Sequence, residues 1–410
     1  MELIITIITI CFIYYNSFRN PTKSIIAFLI LETSFLGFVH IEILVGGVDY
    51  IALILNMVLL PAIFSAWRKN KNVYAKRIIL FLAIFYIYGL LKPLFDGNQN
   101  FVQSVKTSKT FLYYIFVVYV IIKGPAIDMK KVSNIVVLIA LYFSTLYILF
   151  YVLGLNIIVP CYEKNSQLQC HYDSYIALGL IFIFSFCSST LLKKYRNYLS
   201  IYLLIGLSCG GFFALFSTSL LISLFLNVRS IYKKDKQLCA SLIILFIVLL
   251  ILSIGVFFND ILNTINISIA EQSHALSGRE IYNEFRWTLI DKQLMFGYGF
   301  LSSDSEPMLV YGNQSVQYMR TFSFIDAGYV DLLGRFGVLG SIIFLLLPIY
   351  LIINNKSKSI KLPFVLFLIQ LLFVNLTWSV FSFNMGIVLL GIVYTILLYN
   401  YENSKYYRCV

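Results

Sequence analysis

The feature that most constrains this chain is a series of solidly apolar runs, each roughly 17–22 residues long, between short polar segments. Each run is long enough to cross about 30 Å of hydrocarbon as an α-helix. A transmembrane barrel is excluded, because barrel strands alternate between apolar and polar residues. Only 12% of the residues are charged, whereas soluble domains have about 25%. The sequence therefore predicts an all-α polytopic membrane protein with about 12–14 transmembrane helices.

The positions of the apolar runs predict about 13 spans, with the N-terminus on the outer side of the membrane. The predicted spans cover residues 2–17, 24–45, 50–67, 78–95, 110–122, 133–157, 174–192, two short helices within 197–228, 238–257, 338–353, 362–377 and 380–399. Residues 1–258 then hold about ten spans, residues 259–336 form one large outer loop, and residues 337–410 hold about three spans.

The basic residues follow this topology. Of the 31 Lys and Arg residues, 22 fall in one alternate set of polar segments and at the C-terminus. The other nine, with most of the acidic residues, fall in the second set. Cytoplasmic loops of membrane proteins are enriched in Lys and Arg. Topology therefore explains the net charge of +12, and no nucleic-acid partner is expected.

The long polar segment at 259–336 is where we expect chemistry, because a membrane protein normally returns through the bilayer after a short turn. Arg279 and Arg286 are seven residues apart, so on a helix they share one face. Guanidinium groups at this spacing can bind a diphosphate through bidentate hydrogen bonds. Salt bridges to nearby carboxylates are the alternative. Gly297 and Gly299 allow a tight turn or a close approach of two backbones.

Further polar residues are candidates for a role in binding or chemistry. Asp326 precedes a helical pattern, so it is either an N-cap or a general base at the membrane surface. Asp331 and Arg335 have the i, i+4 spacing of a helix pair. Glu32 lies inside a predicted span, where a carboxylate needs a partner or a polar groove. Lys109 opens a span at the outer face, where it can reach lipid headgroups or an anionic ligand.

The sequence predicts neither a metal nor a cofactor. It has no GxxxxGK[ST], HExxH or CxxC pattern. Cys161 and Cys170 fall in one predicted outer loop, where a disulfide could form in an oxidising compartment.

Several residues in and after the polar segment form an ordered pattern. They are Ser277, Gly278, Arg279, Trp287, Gly297, Gly299, Tyr329, Leu332, Leu333, Gly337 and Gly340. This pattern resembles the bacterial Wzy-type O-antigen and capsule polymerases, which share a superfamily with the O-antigen ligases. Lys109 is similar to the family's upstream basic position. Ligases typically carry His where this chain has Asp326, which favours a polymerase. An Arg that the family often has is absent from residues 216–219.

The resemblance implies a multi-pass protein of the bacterial inner membrane that acts as a metal-independent, GT-C-like, inverting glycosyltransferase at the periplasmic face. It would join repeat units linked to undecaprenyl diphosphate. Arg279 would neutralise the departing diphosphate, and Asp326 would activate the acceptor hydroxyl. The implied substrate-binding residues are Arg286, Lys109, Tyr329 and Trp287. The implied partners are the lipid-linked oligosaccharide, membrane lipid and a co-polymerase that regulates chain length.

Three alternatives stay open at this point. An O-antigen ligase would use the same chemistry with lipid A-core as the acceptor. A repeat-unit flippase is a transporter, and transporters usually show paired repeats and membrane-buried charges. A non-catalytic membrane scaffold fits the composition but leaves the Arg, Trp, Gly and Asp residues of the outer loop without a role.

Overall fold

The computed structural model describes residues 2–33, 35, 44–45, 48–68, 72–154, 162–164, 167–169, 172–185, 195–209, 213–234, 286–302, 305, 307, 328–355, 361–376 and 379–399. Within these residues the chain is mostly helical. The predicted span at 238–257 lies outside them, as do Arg279, Asp326, Cys161 and Cys170.

The helices carry the apolar runs of the sequence. They are α1 Glu2–Arg19, α2 Pro21–Glu32, α3 Tyr50–Met57, α4 Leu60–Trp67, α5 Val73–Phe95, α6 Phe101–Thr107, α7 Tyr114–Lys123, α8 Met129–Leu153, α9 Asp173–Ser185, α10 Arg196–Cys209, α11 Phe213–Lys234, α12 Gly328–Asn355, α13 Leu362–Val374 and α14 Asn384–Leu398. Two 3-10 helices, Lys109–Tyr113 and Gly124–Ala126, flank α7. A further helical stretch covers 286–292.

Four helical segments are long and apolar enough to cross a membrane. They are Ala75–Phe95, Lys109–Ala126, Met129–Leu153 and Gly328–Asn355. Shorter apolar helices of 10–17 residues accompany them in the described part of the chain. The prediction of a mostly helical chain with several apolar helices of membrane-spanning length is therefore confirmed.

Hydrogen bonds between the helices bring their ends together in two groups. At one end, the Lys361 ammonium donates to the Leu397 carbonyl at 2.7 Å, and the Tyr399 hydroxyl donates to the Ile121 carbonyl at 2.9 Å. The basic residues at or next to the helix ends on this side include Arg19, Lys23, Lys123, Lys130, Lys131 and Lys361. The basic residues on the other side include Lys92, Lys106, Lys109, Arg286, Lys292 and Arg335. These two groups match the two charge sets of the sequence.

Burial distinguishes inner helices from outer ones. Every residue of α9 from Asp173 to Ile183 is buried, and so is every residue of α14 from Met385 to Leu397. These helices are apolar on all faces because all their faces pack against other helices. In contrast, α1, α5 and α12 each expose a row of large apolar side chains, such as Ile8, Ile84 and Ile342. The exposed rows are the surfaces that would contact lipid.

The second predicted span, 24–45, is wrong in its second half. Helix α2 ends at Glu32, and Thr33 closes it by donating its backbone N–H to the carbonyls of Leu29 and Leu31. Residues Leu44–Val45 instead pair with Val48–Asp49 as an antiparallel hairpin. The sequence between the strands is Gly-Gly, which is a strong hairpin signal between β-branched residues.

Three other boundaries differ from the sequence-based prediction. The run at 50–67 forms two helices rather than one, because Pro61 has no N–H to continue the helix begun by α3. The expected outer loop around 158–173 contains a second hairpin, Tyr162–Lys164 with Gln167–Gln169. Helix α12 begins at Gly328, ten residues before the predicted span at 338–353. The predicted break at 208–211 does separate α10 from α11.

Candidate functional site

One side of the described part of the polar segment, 286–302, packs against the start of α12. Leu289, Ile290, Tyr298 and Leu301 form a small buried cluster, with Val330 and Leu333 of α12 against it. Burial raises the pKa of Tyr298, and the nearby charge of Asp96 raises it further. The Tyr298 phenol therefore remains protonated at neutral pH.

The turn after the 286–292 helix is fixed to α12 by backbone hydrogen bonds. The amide of Tyr298 donates to the Gly334 carbonyl at 2.8 Å, and the amide of Gly299 donates to the Arg335 carbonyl at 2.7 Å. In an uninterrupted α-helix those two carbonyls would accept from amides four residues further along. The turn at 297–299 therefore supplies the donors that the next turn of α12 would otherwise supply.

The displaced amides of α12 bond back to the polar segment. Val338 donates to the Leu294 carbonyl at 2.8 Å, and Leu339 donates to the Met295 carbonyl at 3.3 Å. The exchange is made possible by Gly337, which has φ 64° and ψ −173° and kinks α12. Segment and helix therefore share their hydrogen bonds at the kink, and these two carbonyls and two amides of α12 all have partners.

Glycine is required at the three contact points. A Cβ at Gly297 would lie 2.5 Å from the backbone nitrogen of Gly337, and one at Gly299 would lie 2.5 Å from the carbonyl oxygen of Gly89. A Cβ at Gly337 would lie 2.4 Å from the carbonyl carbon of Met295. All three glycines also have φ between 64° and 73°, a range that other residues rarely adopt. The predicted tight turn and close backbone approach at Gly297 and Gly299 are confirmed.

A polar network fastens the same segment to the end of α5. The Lys92 ammonium bonds both carboxylate oxygens of Asp96, at 2.6 and 2.5 Å, and the Gln293 side-chain oxygen at 2.8 Å. The Gln293 amide nitrogen returns a bond to Asp96 at 3.1 Å. The Ser302 amide donates to the Gln99 side-chain oxygen at 2.7 Å. Side chains therefore hold both ends of the 293–302 stretch.

Next to this junction lies a buried ion pair. The Arg335 Nε donates to Asp331 Oδ1 at 2.7 Å, and the two side chains are 3% and 0% exposed. The Ser382 hydroxyl donates to the second oxygen of Asp331. The guanidinium carbon of Arg335 lies 5.3 Å from the ring centre of Phe111 and 5.8 Å from that of Phe300. Arg335 is thus held by one carboxylate and by two aromatic rings.

The predicted substrate-binding residues lie in different environments. Arg286 is buried, whereas the Trp287 ring beside it is 43% exposed. Lys109 is exposed at the start of its 3-10 helix. Tyr329 is half-buried, and its hydroxyl donates to the Leu372 carbonyl at 2.7 Å, which ties α12 to α13.

Lys109 lies two residues before Phe111, whose ring contacts Arg335, and Gly299 bonds the Arg335 carbonyl. Arg279 and Asp326 are outside the described residues, so their proposed pairing stays a prediction. Within the part of the chain that is described, no three His, Cys, Asp or Glu side chains are close enough to hold a metal ion.

Sequence reasoning identified the spacing of Asp331 and Arg335 but not their burial. An ion pair at i, i+4 is most often exposed, and it is then worth only a few tenths of a kcal/mol. The overlooked signal is the surrounding sequence, in which the pair is embedded among Val330, Leu332 and Phe336. Charges inside an apolar helical pattern are expensive, and they usually have a functional or pairing role.

Glu32 has hydrogen-bond partners, which a carboxylate inside an apolar span needs. The Tyr113 hydroxyl donates to one carboxylate oxygen at 2.8 Å, and the Asn384 amide donates to the other at 2.7 Å. These contacts join α2, the 3-10 helix before α7, and the start of α14. The prediction that Glu32 needs a structural partner or a polar groove is confirmed for the partner.

Comparison with known proteins adds no family to this description. No protein-family model and no curated protein matches the chain.

Proposed function

We propose that this protein is an integral membrane glycosyltransferase that polymerises a polysaccharide, O-antigen or capsule, from repeat units linked to undecaprenyl diphosphate. The reaction would take place at the periplasmic face of the bacterial inner membrane. Arg279 would compensate the charge of the departing diphosphate, with Arg286 and Lys109 assisting. Asp326 would take the proton of the acceptor hydroxyl for in-line attack.

One observation carries this proposal. The Gly297–Gly299 turn and the kink at Gly337 form a single backbone unit, and these are the glycines of the pattern that resembles the polymerases. Residues about 40 positions apart in the sequence are thus in backbone contact, as expected if they form one functional motif. Lys109 lies two residues before Phe111, whose ring contacts Arg335 of α12.

The apolar surface of the bundle is consistent with a lipid-linked substrate. A cavity of about 460 Å³ lies between α4, α5 and α7, and its lining is almost entirely apolar, including Trp67, Leu82 and Ile115. Ligand pockets of proteins are typically about 300–1,000 Å³. Such a cavity has room for part of an isoprenoid chain, while the cationic end of the bundle would face the diphosphate.

The test is the glycan made by a strain in which the gene is deleted and then replaced by variants. Loss of a polymerase leaves single repeat units on the core, loss of a ligase leaves bare core and lipid-linked polymer, and loss of a flippase traps units inside. We expect the first pattern for the deletion and for Arg279→Ala and Asp326→Asn. Lys131→Ala, in the first turn of α8 at the other end of the helix bundle, should give a normal ladder. A normal ladder from Arg279→Ala would refute the site.

A repeat-unit transporter is the second candidate, and specific residues favour it. Glu32, Asp331 and Arg335 are all buried between helices, and ionisable groups in such places often mark transport pathways. If the deletion strain accumulates lipid-linked single units on the cytoplasmic side, transport replaces polymerisation as the function.

A further inference from the structure

Arg335 has fewer hydrogen-bond partners than a buried guanidinium normally has. It is 2% exposed, and its Nε bonds Asp331. Its Nη1 is buried and finds no acceptor among the described residues. A guanidinium carries five N–H donors, and a buried charged donor without an acceptor is costly. An acceptor for this edge of Arg335 is therefore expected on physical grounds.

The surroundings fix the guanidinium in place. Asp331 accepts from Nε, and it is itself held by the Ser382 hydroxyl. The rings of Phe111 and Phe300 pack against the guanidinium. This arrangement orients the planar Nη edge, and such an edge matches two oxygens of a phosphate group. The carboxylate serves to orient the arginine, and Nη1 is left without an acceptor among the described residues.

The position of Arg335 in the fold relates it to the proposed chemistry. Helix α12 begins at Gly328, so Arg335 lies seven residues along it, roughly 10 Å from its start. Asp326 precedes that start by two residues. The exposed Lys109 lies two residues before Phe111, whose ring packs against Arg335. Arg335 follows the proposed base by nine residues in the sequence.

We infer that the Nη edge of Arg335 binds the diphosphate group of the lipid-linked substrate, with Asp331 and Ser382 as positioning residues. This inference rests on the proposed function for the identity of the ligand. It adds a buried, oriented cation to the arginines of the polar segment. Phe111, which packs against Arg335 and also lines the apolar cavity, would separate the diphosphate from the lipid chain.

The experiment measures binding rather than activity. The full-length protein, purified in detergent, is titrated calorimetrically with farnesyl diphosphate and, separately, with inorganic diphosphate. Arg335→Lys keeps a charge next to Asp331 but removes the planar edge, and we expect it to bind farnesyl diphosphate about 10- to 100-fold more weakly. Lys131→Gln, at an exposed pair on the opposite end, should bind as the wild type does.

A second variant guards against a folding defect. Asp331→Asn with Arg335→Gln replaces the ion pair by a neutral pair that can still hydrogen-bond, and it should also lose binding while keeping a cooperative thermal transition. Binding by either Arg335 variant with wild-type affinity would overturn the inference, as would a wild type that binds neither probe. If Arg335→Lys loses binding but the deletion strain makes a normal polymer, the anion site stands and the polymerase proposal fails. If instead Arg279→Ala abolishes the polymer and Arg335→Lys binds normally, only the role of Arg335 fails.

Discussion

Replacing Gly299 by alanine should detach the polar segment from the helix bundle. The alanine would have to keep φ near 73°, which costs about 1–2 kcal/mol. Its Cβ would lie 2.5 Å from the Gly89 carbonyl oxygen and 2.7 Å from Cδ of Pro93, so the turn must move away from α5. Loss of the amide bonds of Tyr298 and Gly299 to α12 removes about 2 kcal/mol more. The sum is about 3–4 kcal/mol, which would raise the population of the detached turn roughly 100- to 1,000-fold.

Hydrogen–deuterium exchange followed by mass spectrometry measures this population directly. Peptides covering residues 294–302 should exchange faster in Gly299→Ala by about the factor given above, while peptides of α9 and α14 should change little. Gly154→Ala is the matched control, because Gly154 also has a positive φ of 65° but a Cβ there meets nothing within 4 Å. It should leave the 294–302 peptides unchanged. Equal exchange of those peptides in Gly299→Ala and in the control would show that the close approach to α5 and α12 does not hold the segment.

Three further predictions concern other parts of the fold. Asp331→Ala leaves the guanidinium of Arg335 buried without a counter-charge, so thermal unfolding should show a free energy of unfolding lower by about 3–5 kcal/mol. Lys131→Ala, at a pair with a largely exposed lysine, should lower it by less than about 1 kcal/mol. Similar losses in the two variants would contradict the burial of the first pair. Tyr113→Phe removes one donor from the buried carboxylate of α2, and the same assay should show a loss of about 1–3 kcal/mol; no loss would mean that this bond is replaced. Cys161 and Cys170 each lie one residue beyond a paired hairpin position, so protein purified without reductant and then alkylated should carry no label at either; labelling of both would rule out the disulfide.

The sequence was most informative about the helices and least informative about how they end. Long apolar runs identify α5, α8 and α12 because membrane-spanning length and composition are local properties. The end of α2 at Glu32 was missed, because the following residues are also apolar. Only the Gly46-Gly47 pair in the sequence indicated a hairpin. Apolar character alone cannot separate a helix from a short buried strand.

The candidate site was partly predictable for the same reason. The positive φ of Gly297 and Gly299 could be anticipated, since glycine is the residue that tolerates it. Their partners at Gly89 and Gly337 could not, because a backbone contact between distant segments has no local sequence signal. The burial of Asp331 and Arg335 likewise depends on Phe111 and Ser382, which come from distant parts of the chain.

The contact between the polar segment and α12 is made by main-chain atoms, and this has an evolutionary consequence. The carbonyls of Leu294, Met295 and Phe296 all accept hydrogen bonds, from α12 or from Tyr88, while their side chains are 40%, 50% and 58% exposed. Substitutions of these three side chains can therefore leave the contact between the polar segment and α12 intact, provided that the glycines of that contact are retained. Two proteins descended from one ancestor could share this contact and retain little recognisable sequence similarity apart from a few spaced glycines.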